Sequence, residues 1–421
     1  MIFKSIYIFG IVLFASLCVS CEKSNIPSEY TDKLQFTLNE SNTGYYVSNG
    51  SNTNEYVNIP EIYNNLPVLG IANNGFYDVD FLKEIKMPNS IKIIGESAFE
   101  SCENLSKVYF SNSLEKIDAL AFRYCDNIKE IQLPESLKEI HLQAFSFCKS
   151  LKELYLPNNL EYVSKDIVLY EHANKKIFKT YKGYGYLGSK ENPYLLLAHC
   201  IDNSIEDVIV HNDCKYLASN ANLSIKTITF SNSVEYIDMR MGSENLEHVY
   251  GNPKIKYIGS GVFYNSVNLK TLPTLQYVEY FGISSFANCN IPYKDLNLQN
   301  VEYIGQYAFC GAKYLRSVTF GRNINNLESN IFSSTHLTHV YIPSNVTSVS
   351  ESAFKHITVY GTNNVINIYY EGNELDFVDI GGKNYANDSN SFNVYYNYNL
   401  NNEKKECKLL FLMLLIFELK S

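Results

Sequence analysis

Aligned on phenylalanine, the chain repeats every 23 residues. Phe76, Phe99, Phe122 and Phe145 are 23 apart, Phe263, Phe286, Phe309 and Phe332 are again 23 apart, and Phe354 follows after 22. Other columns keep the same register. Ala precedes the phenylalanine at 98, 121, 144, 308 and 353, and a small residue follows three places on at Cys102, Cys125, Cys148, Cys289 and Ala312. Six places after it stand Leu82, Leu105, Ile128, Leu151, Leu269 and Leu315. Five places before it an apolar residue often leads a glycine, as in Ile94-Gly95, Phe281-Gly282 and Ile304-Gly305.

Between these columns the segments LKEIKMP (82–88), IKEIQLP (128–134) and LKELYLP (151–157) alternate apolar and polar residues. That alternation predicts a short strand with one buried face. Pro88, Pro134, Pro157 and Pro343 end such strands, because proline cannot donate to a ladder. The following SIKIIGESAFESC (90–102) predicts a second extended piece and then a tight turn or brief helix around Ala-Phe. No single unit can bury its apolar side alone. Stacked at ~4.8 Å, the units share one core and pair their backbones. The pattern therefore predicts a repeat solenoid, α/β leaning to β, rather than the roughly three globular domains suggested by length.

The motif I-G-x-x-A-F-x-x-C-x-x-L-x-x-[IV]-x-[LF]-P resembles the BspA-like, Treponema-type leucine-rich repeat of bacterial surface proteins. The resemblance covers about 36–360. It implies a right-handed superhelix of short strands and short helical turns, with the strand sheet as its concave face. FTLNESNTGYYVSNG (36–50) and VNIPEIYNNLPVLGI (57–71) look like the family's entry segment. Tyr186-Leu187-Gly188 with Glu191-Asn192-Pro193-Tyr194 resembles an insertion seen in the same family. The expected organisation is an N-terminal cap at 35–70, a first repeat block at 71–165, an insertion at 166–222 and a second block at 223–360. An Asn/Tyr-rich cap or tail follows at 361–406. The insertion breaks the period and is expected to add strands that continue the stack. The family likeness further implies adhesion to host or neighbouring-cell surface or matrix proteins.

The first residues, MIFKSIYIFGIVLFASLCVS (1–20), place Lys4 before an apolar run from Ile6 to Val19. The run is shorter than the ~20 residues that span a bilayer, and it predicts a cleaved signal sequence. Ser20-Cys21 resembles the end of a bacterial lipoprotein signal, although Cys18 stands where Leu is usual. That likeness implies a lipidated Cys21, a tether at 21–34, membrane contact through the lipid anchor, and a cell-surface position on the bacterial outer membrane. Secretion is the alternative. The last apolar stretch, within 407–421, is also too short to span easily. An anchor, a packed terminal helix and a disrupted reading frame all remain open for it.

Composition narrows the function classes. The 35 Lys+Arg against 44 Asp+Glu give a formal net charge of −9, which argues against a nucleic-acid binder and its basic stripe. Tryptophan is absent, while 35 Tyr and 24 Phe are present, and strands accept such aromatics well. Gly183-Tyr184-Gly185-Tyr186-Leu187-Gly188 matches G-x-G-x-x-G, but no strand–helix context surrounds it, so it reads as a hairpin. His336 and His339 lack a third ligand at metal spacing. The Cys102, Cys125 and Cys148 column reads as buried free thiols. No catalytic set, metal or cofactor is expected, and the chain is not expected to be an enzyme.

What remains is surface. Alternation points Lys86, Tyr109, Gln132 and Tyr155 outward in the first block, with Thr319 and Tyr341 as equivalents in the second. Tyr109, Gln132, Tyr155 and Tyr341 are the candidate partner-binding residues, since tyrosine offers large amphipathic contact area at low entropy cost. The competing reading is that strands simply accept tyrosine. The expected function is a lipid-anchored surface protein whose solenoid binds macromolecular partners, as an adhesin or protein-binding scaffold. The alternative is a structural, glycan-binding or nutrient-capture component.

Overall fold

The computed structural model describes residues 31–168, 175–219, 223–354, 365–387 and 391–398. The segment expected to be a signal sequence, Cys21 and the apolar stretch at 407–421 lie outside the described residues. The chain winds into a β-solenoid of about 14 turns with a period of about 23 residues. Each regular turn contributes to two parallel ladders. In the wide ladder, strands such as Glu84–Lys86, Glu153–Tyr155 and Ser317–Phe320 alternate inward and outward side chains. Ile85, Leu154 and Val318 face the core. In the narrow ladder, two-residue strands such as Ile93–Ile94, Lys116–Ile117 and Glu139–Ile140 pair in register from turn to turn.

The phenylalanine column forms a stack of rings. Phe76, Phe99, Phe122 and Phe145 follow one another at 5.3, 5.1 and 5.6 Å between centroids. Phe263, Phe286, Phe309, Phe332 and Phe354 do the same in the second block. The cysteines beside them are free. Each thiol donates to the carbonyl oxygen of the phenylalanine one turn earlier: Cys102 to Phe76 at 2.9 Å, Cys125 to Phe99 at 3.2 Å and Cys148 to Phe122 at 3.1 Å. Burial, the main cause, pushes the Cys102 and Cys148 thiols up to about 12. This column is a packing device, not a reactive one.

The expected helical turns are not helical. Two residues before each ring the backbone is left-handed, at Asn74, Ser97, Leu120 and Gln143, and it is left-handed again two residues after, at Asp78, Ser101, Tyr124 and Phe147. A left-handed residue at both ends of a five-residue arc prevents an α-helical turn from propagating. Among the described residues, regular α-helix is confined to Glu374–Phe377 and Lys383–Asn387, within the segment expected to be an irregular cap. A strand at Ile366–Tyr370 and another at Phe392–Tyr395 extend the wide ladder on either side of it.

The insertion forms an antiparallel sheet. Lys179–Tyr181 pairs with Tyr184–Leu187, which pairs with Leu196–Cys200. The connecting residues Lys182 and Gly183 both have positive φ, 47° and 81°, the geometry of a two-residue primed hairpin turn. The G-x-G-x-x-G segment is thus a hairpin. Leu196–Cys200 then starts a new parallel run through Tyr216–Leu217 and Tyr236–Ile237. One side of the insertion (Leu187, Leu195, Leu196) joins the core of the first block, and the other (Tyr184, Tyr186, Leu197) joins that of the second. The Tyr216 hydroxyl donates to the Leu160 carbonyl at 2.7 Å, tying the halves together.

Candidate binding surface

The outward side chains of the wide ladder make the candidate surface. Tyr109 is half-buried. Its hydroxyl donates to the Glu84 carboxylate at 3.3 Å, and the Lys107 ammonium lies 5.1 Å from its ring centre. Gln132 is exposed, and its carbonyl oxygen accepts from Lys190 Nζ at 3.3 Å. The same ammonium lies 4.7 Å from the centre of the Tyr155 ring. The Tyr155 hydroxyl donates to Glu153 at 2.7 Å. That hydrogen bond, with burial and the negative charge of Glu153 and Glu130, pushes the phenol up to about 12. Gln132 and Tyr155 are therefore held in place by a lysine from the insertion. Beside them a groove is lined by Lys152, Glu153, Lys179, Tyr186, Ser189 and Pro193.

The four candidate residues do not sit on one uninterrupted sheet. Tyr109 ends the three-stranded ladder of Tyr56–Asn58, Glu84–Lys86 and Lys107–Tyr109, whereas Gln132 and Tyr155 share a separate two-stranded ladder. The break coincides with Phe110, which stands where the neighbouring turns carry Met87, Leu133 and Leu156. Those three are buried. Phe110 is only partly so, and it meets Phe122 edge-on at 5.9 Å. Val108 is likewise only half-buried, and the strand does not pair with its successor. The narrow ladder runs through this point unbroken.

Tyr341 lies in a third, five-stranded ladder. Its ring stacks on Tyr369 at 4.7 Å, Tyr369 stacks on Tyr395 at 4.9 Å, and Tyr398 leans on both Tyr341 and Tyr369. His339 stacks on Tyr369 at 5.9 Å from the neighbouring outward position. Sequence reasoning missed Tyr369, Tyr395 and Tyr398 because the period is lost after 360. The alternation Ile366-Asn-Ile368-Tyr-Tyr370 was the available signal. No group of three ligating side chains suited to a metal, around His336 and His339 or elsewhere, occurs among the described residues. His339 Nδ1 is 2.9 Å from the Thr338 hydroxyl.

A family model described as the BspA type leucine rich repeat region matches residues 69–180, 200–292, 241–360 and 279–400, well over half of the chain. The chain belongs to the BspA type leucine-rich repeat family. Solved structures of similar proteins include a leucine-rich repeat protein of T. pallidum, 21% identical over 58% of this chain and 91% of that one, with a TM-score of 0.32. Another, from Bacteroides ovatus, is 20% identical over 82% of this chain and 100% of that one, with a TM-score of 0.33. A leucine rich cell surface protein of Faecalibacterium prausnitzii is 17% identical over 86% and 99%, with a TM-score of 0.28. No curated protein matches the chain. In this BspA-type chain the repeat columns build the scaffold, and the outward tyrosines of the wide ladder lie outside its core.

Proposed function

We propose that this BspA-type chain is a cell-surface binding scaffold, not a catalyst, and that it holds a macromolecular partner, a host or neighbouring-cell surface or matrix protein, against the outward face of its wide ladder. One observation carries the reading. Tyrosine rings are collected on that face by strands whose inward neighbours already complete the core, so the rings add contact area without being needed for packing. Tyr109, Gln132 and Tyr155 form one part of the contact, with Lys190, and Tyr341, Tyr369 and Tyr395 form the other. A lipidated Cys21 would present the solenoid at the outer membrane, as the leader implies.

The test is a double substitution, Tyr109→Ser with Tyr155→Ser, set against Tyr341→Ser with Tyr369→Ser. Binding to a panel of immobilised extracellular-matrix proteins is measured beside melting temperature. A buried aromatic anchor costs about 2 kcal/mol or more when truncated, a ~30-fold loss of affinity. The expected result is that loss in at least one pair. Full binding with unchanged melting in both pairs would place the contact elsewhere.

A further inference from the structure

The repeat supplies its own reference for each column, so a departure from it can be read directly. Five places after the ring, Asn104 and Asn268 donate to backbone carbonyls of the preceding turn, at 2.7 and 2.8 Å. Asn127 donates to Asn104 at 3.2 Å in the same column. At the equivalent place after Phe309 stands Tyr314, which makes no such bond. It is 56% exposed, and no other ring covers it among the described residues. Four places after the ring the first block carries Asp80, Glu103, Asp126 and Lys149, the lysine paired with Asp126 at 2.6 Å, whereas the second carries Val267, Asn290, Lys313 and His336. Two places after it, the left-handed position holds Asn265 and Asn288 and then Gly311, φ +74°. The Asn288 carboxamide oxygen leans to within 2.4 Å of where a Gly311 side chain would begin.

These departures meet in one open cavity of about 360 Å³, lined by Asn265, Asn288, Asn290, Gly311, Lys313 and Tyr314, among others. That volume is in the range of small-ligand sites. The carboxamides of Asn265 and Asn288 have no side-chain hydrogen bond among the described residues, and Asn290 uses only its amide nitrogen, towards the Leu269 carbonyl at 3.4 Å. Lys313 has no carboxylate partner there. It is the one charged side chain in the cavity lining. Burial, then Arg316, then Lys313 hold the His336 imidazole below its usual range. Arg316 itself is turned onto the Lys313 and Leu315 carbonyls. In a chain of net charge −9, the cavity thus sets one unpaired ammonium beside amides and a bare aromatic ring.

We infer that this cavity binds a short acidic glycan, of the hexuronate type. A pyranose ring packs its C–H face on Tyr314, carboxamides that both donate and accept match sugar hydroxyls, and the Lys313 ammonium meets the carboxylate. Three turns at ~4.8 Å give a row of ~10 Å, enough for two or three sugar units. The site is separate from the wide-ladder face and does not depend on the reading given for it.

The experiment titrates the full chain with a galacturonic acid trisaccharide and with its methyl ester, by calorimetry. Wild type is expected to bind the acid at least about tenfold more tightly than the ester. Tyr314→Ala is expected to weaken both ligands about tenfold or more. Lys313→Gln is expected to remove only the preference for the acid. Both side chains are exposed, so melting temperature should hold. No binding of either ligand at millimolar concentration, equal binding of acid and ester by wild type, or unchanged binding in both variants would each overturn the inference.

Discussion

Phe122 sits between the rings of Phe99 and Phe145 and is wholly buried. Replacing it by alanine is expected to cost about 3–5 kcal/mol, the range for a buried phenylalanine in a close-packed core. Phe76 opens the column, and its place at the start of the block suggests a less buried, more tolerant site. It is instead fully buried, because the preceding strands place Val47, Val57 and Val68 in the same core. It has one ring neighbour, Phe99, where Phe122 has three, Phe99, Phe145 and the edge-on Phe110. Thermal unfolding of the two alanine variants should therefore show Phe76→Ala falling short of Phe122→Ala by about 1–3 kcal/mol, the worth of two aromatic pairs. The column was legible because the same residue type recurs in the same place. The left-handed backbone around it was not. Leu120, Tyr124 and Phe147 are types that avoid that region, and only the stacked turns on either side impose it.

The junction element is where burial meets charge. Asp238 follows the strand Tyr236–Ile237, and its backbone N–H donates to the Leu217 carbonyl at 2.6 Å. Burial raises its carboxyl to about 6, partly opposed by Lys165 of the first block. The folded value lies above the unfolded one of ~3.9. This group thus favours the folded state most below pH ~4, and that contribution is lost as pH rises through about 6. Asp238→Asn is expected to raise stability at pH 7.5 by on the order of 1–2 kcal/mol and to flatten its pH dependence between 4 and 7. Chemical denaturation at three pH values checks this. Little of this junction could be read beforehand. The insertion was visible as a failure of the period, but the reach of Lys190 to Gln132, 58 residues away, follows from how the hairpin folds back. No local spacing encodes it.

Across the whole molecule, stability in a stacked array is a sum of turn and interface terms, so one weak interface can divide the melt. The insertion is held to the first block partly through Gly188, whose carbonyl accepts from Leu156 N–H at 3.0 Å. A side chain at Gly188 would begin 2.0 Å from the Asn192 carbonyl oxygen. Gly188→Ala is therefore expected to loosen that interface and to resolve the melt into two calorimetric transitions, one for each block. A single transition with an unchanged midpoint would show that the Tyr216–Leu160 bond and the shared core suffice. The solenoid as a whole was legible from period alone. The division of its wide ladder was not, since Phe110 reads as one more apolar residue in the right column.

The central hairpin also bears on how such a chain first acquires order. Each parallel pair in either block must close a loop of ~20 residues before any contact forms, whereas Lys182-Gly183 closes a two-residue turn. Loop closure of that kind takes microseconds, and non-local pairing is slower by orders of magnitude. A seed near the middle of the sequence lets the zipper grow toward both ends at once. Each added turn then finds a finished template, and the unpaired edge, where a growing β-array is most prone to capture a stranger, stays as brief as the geometry permits.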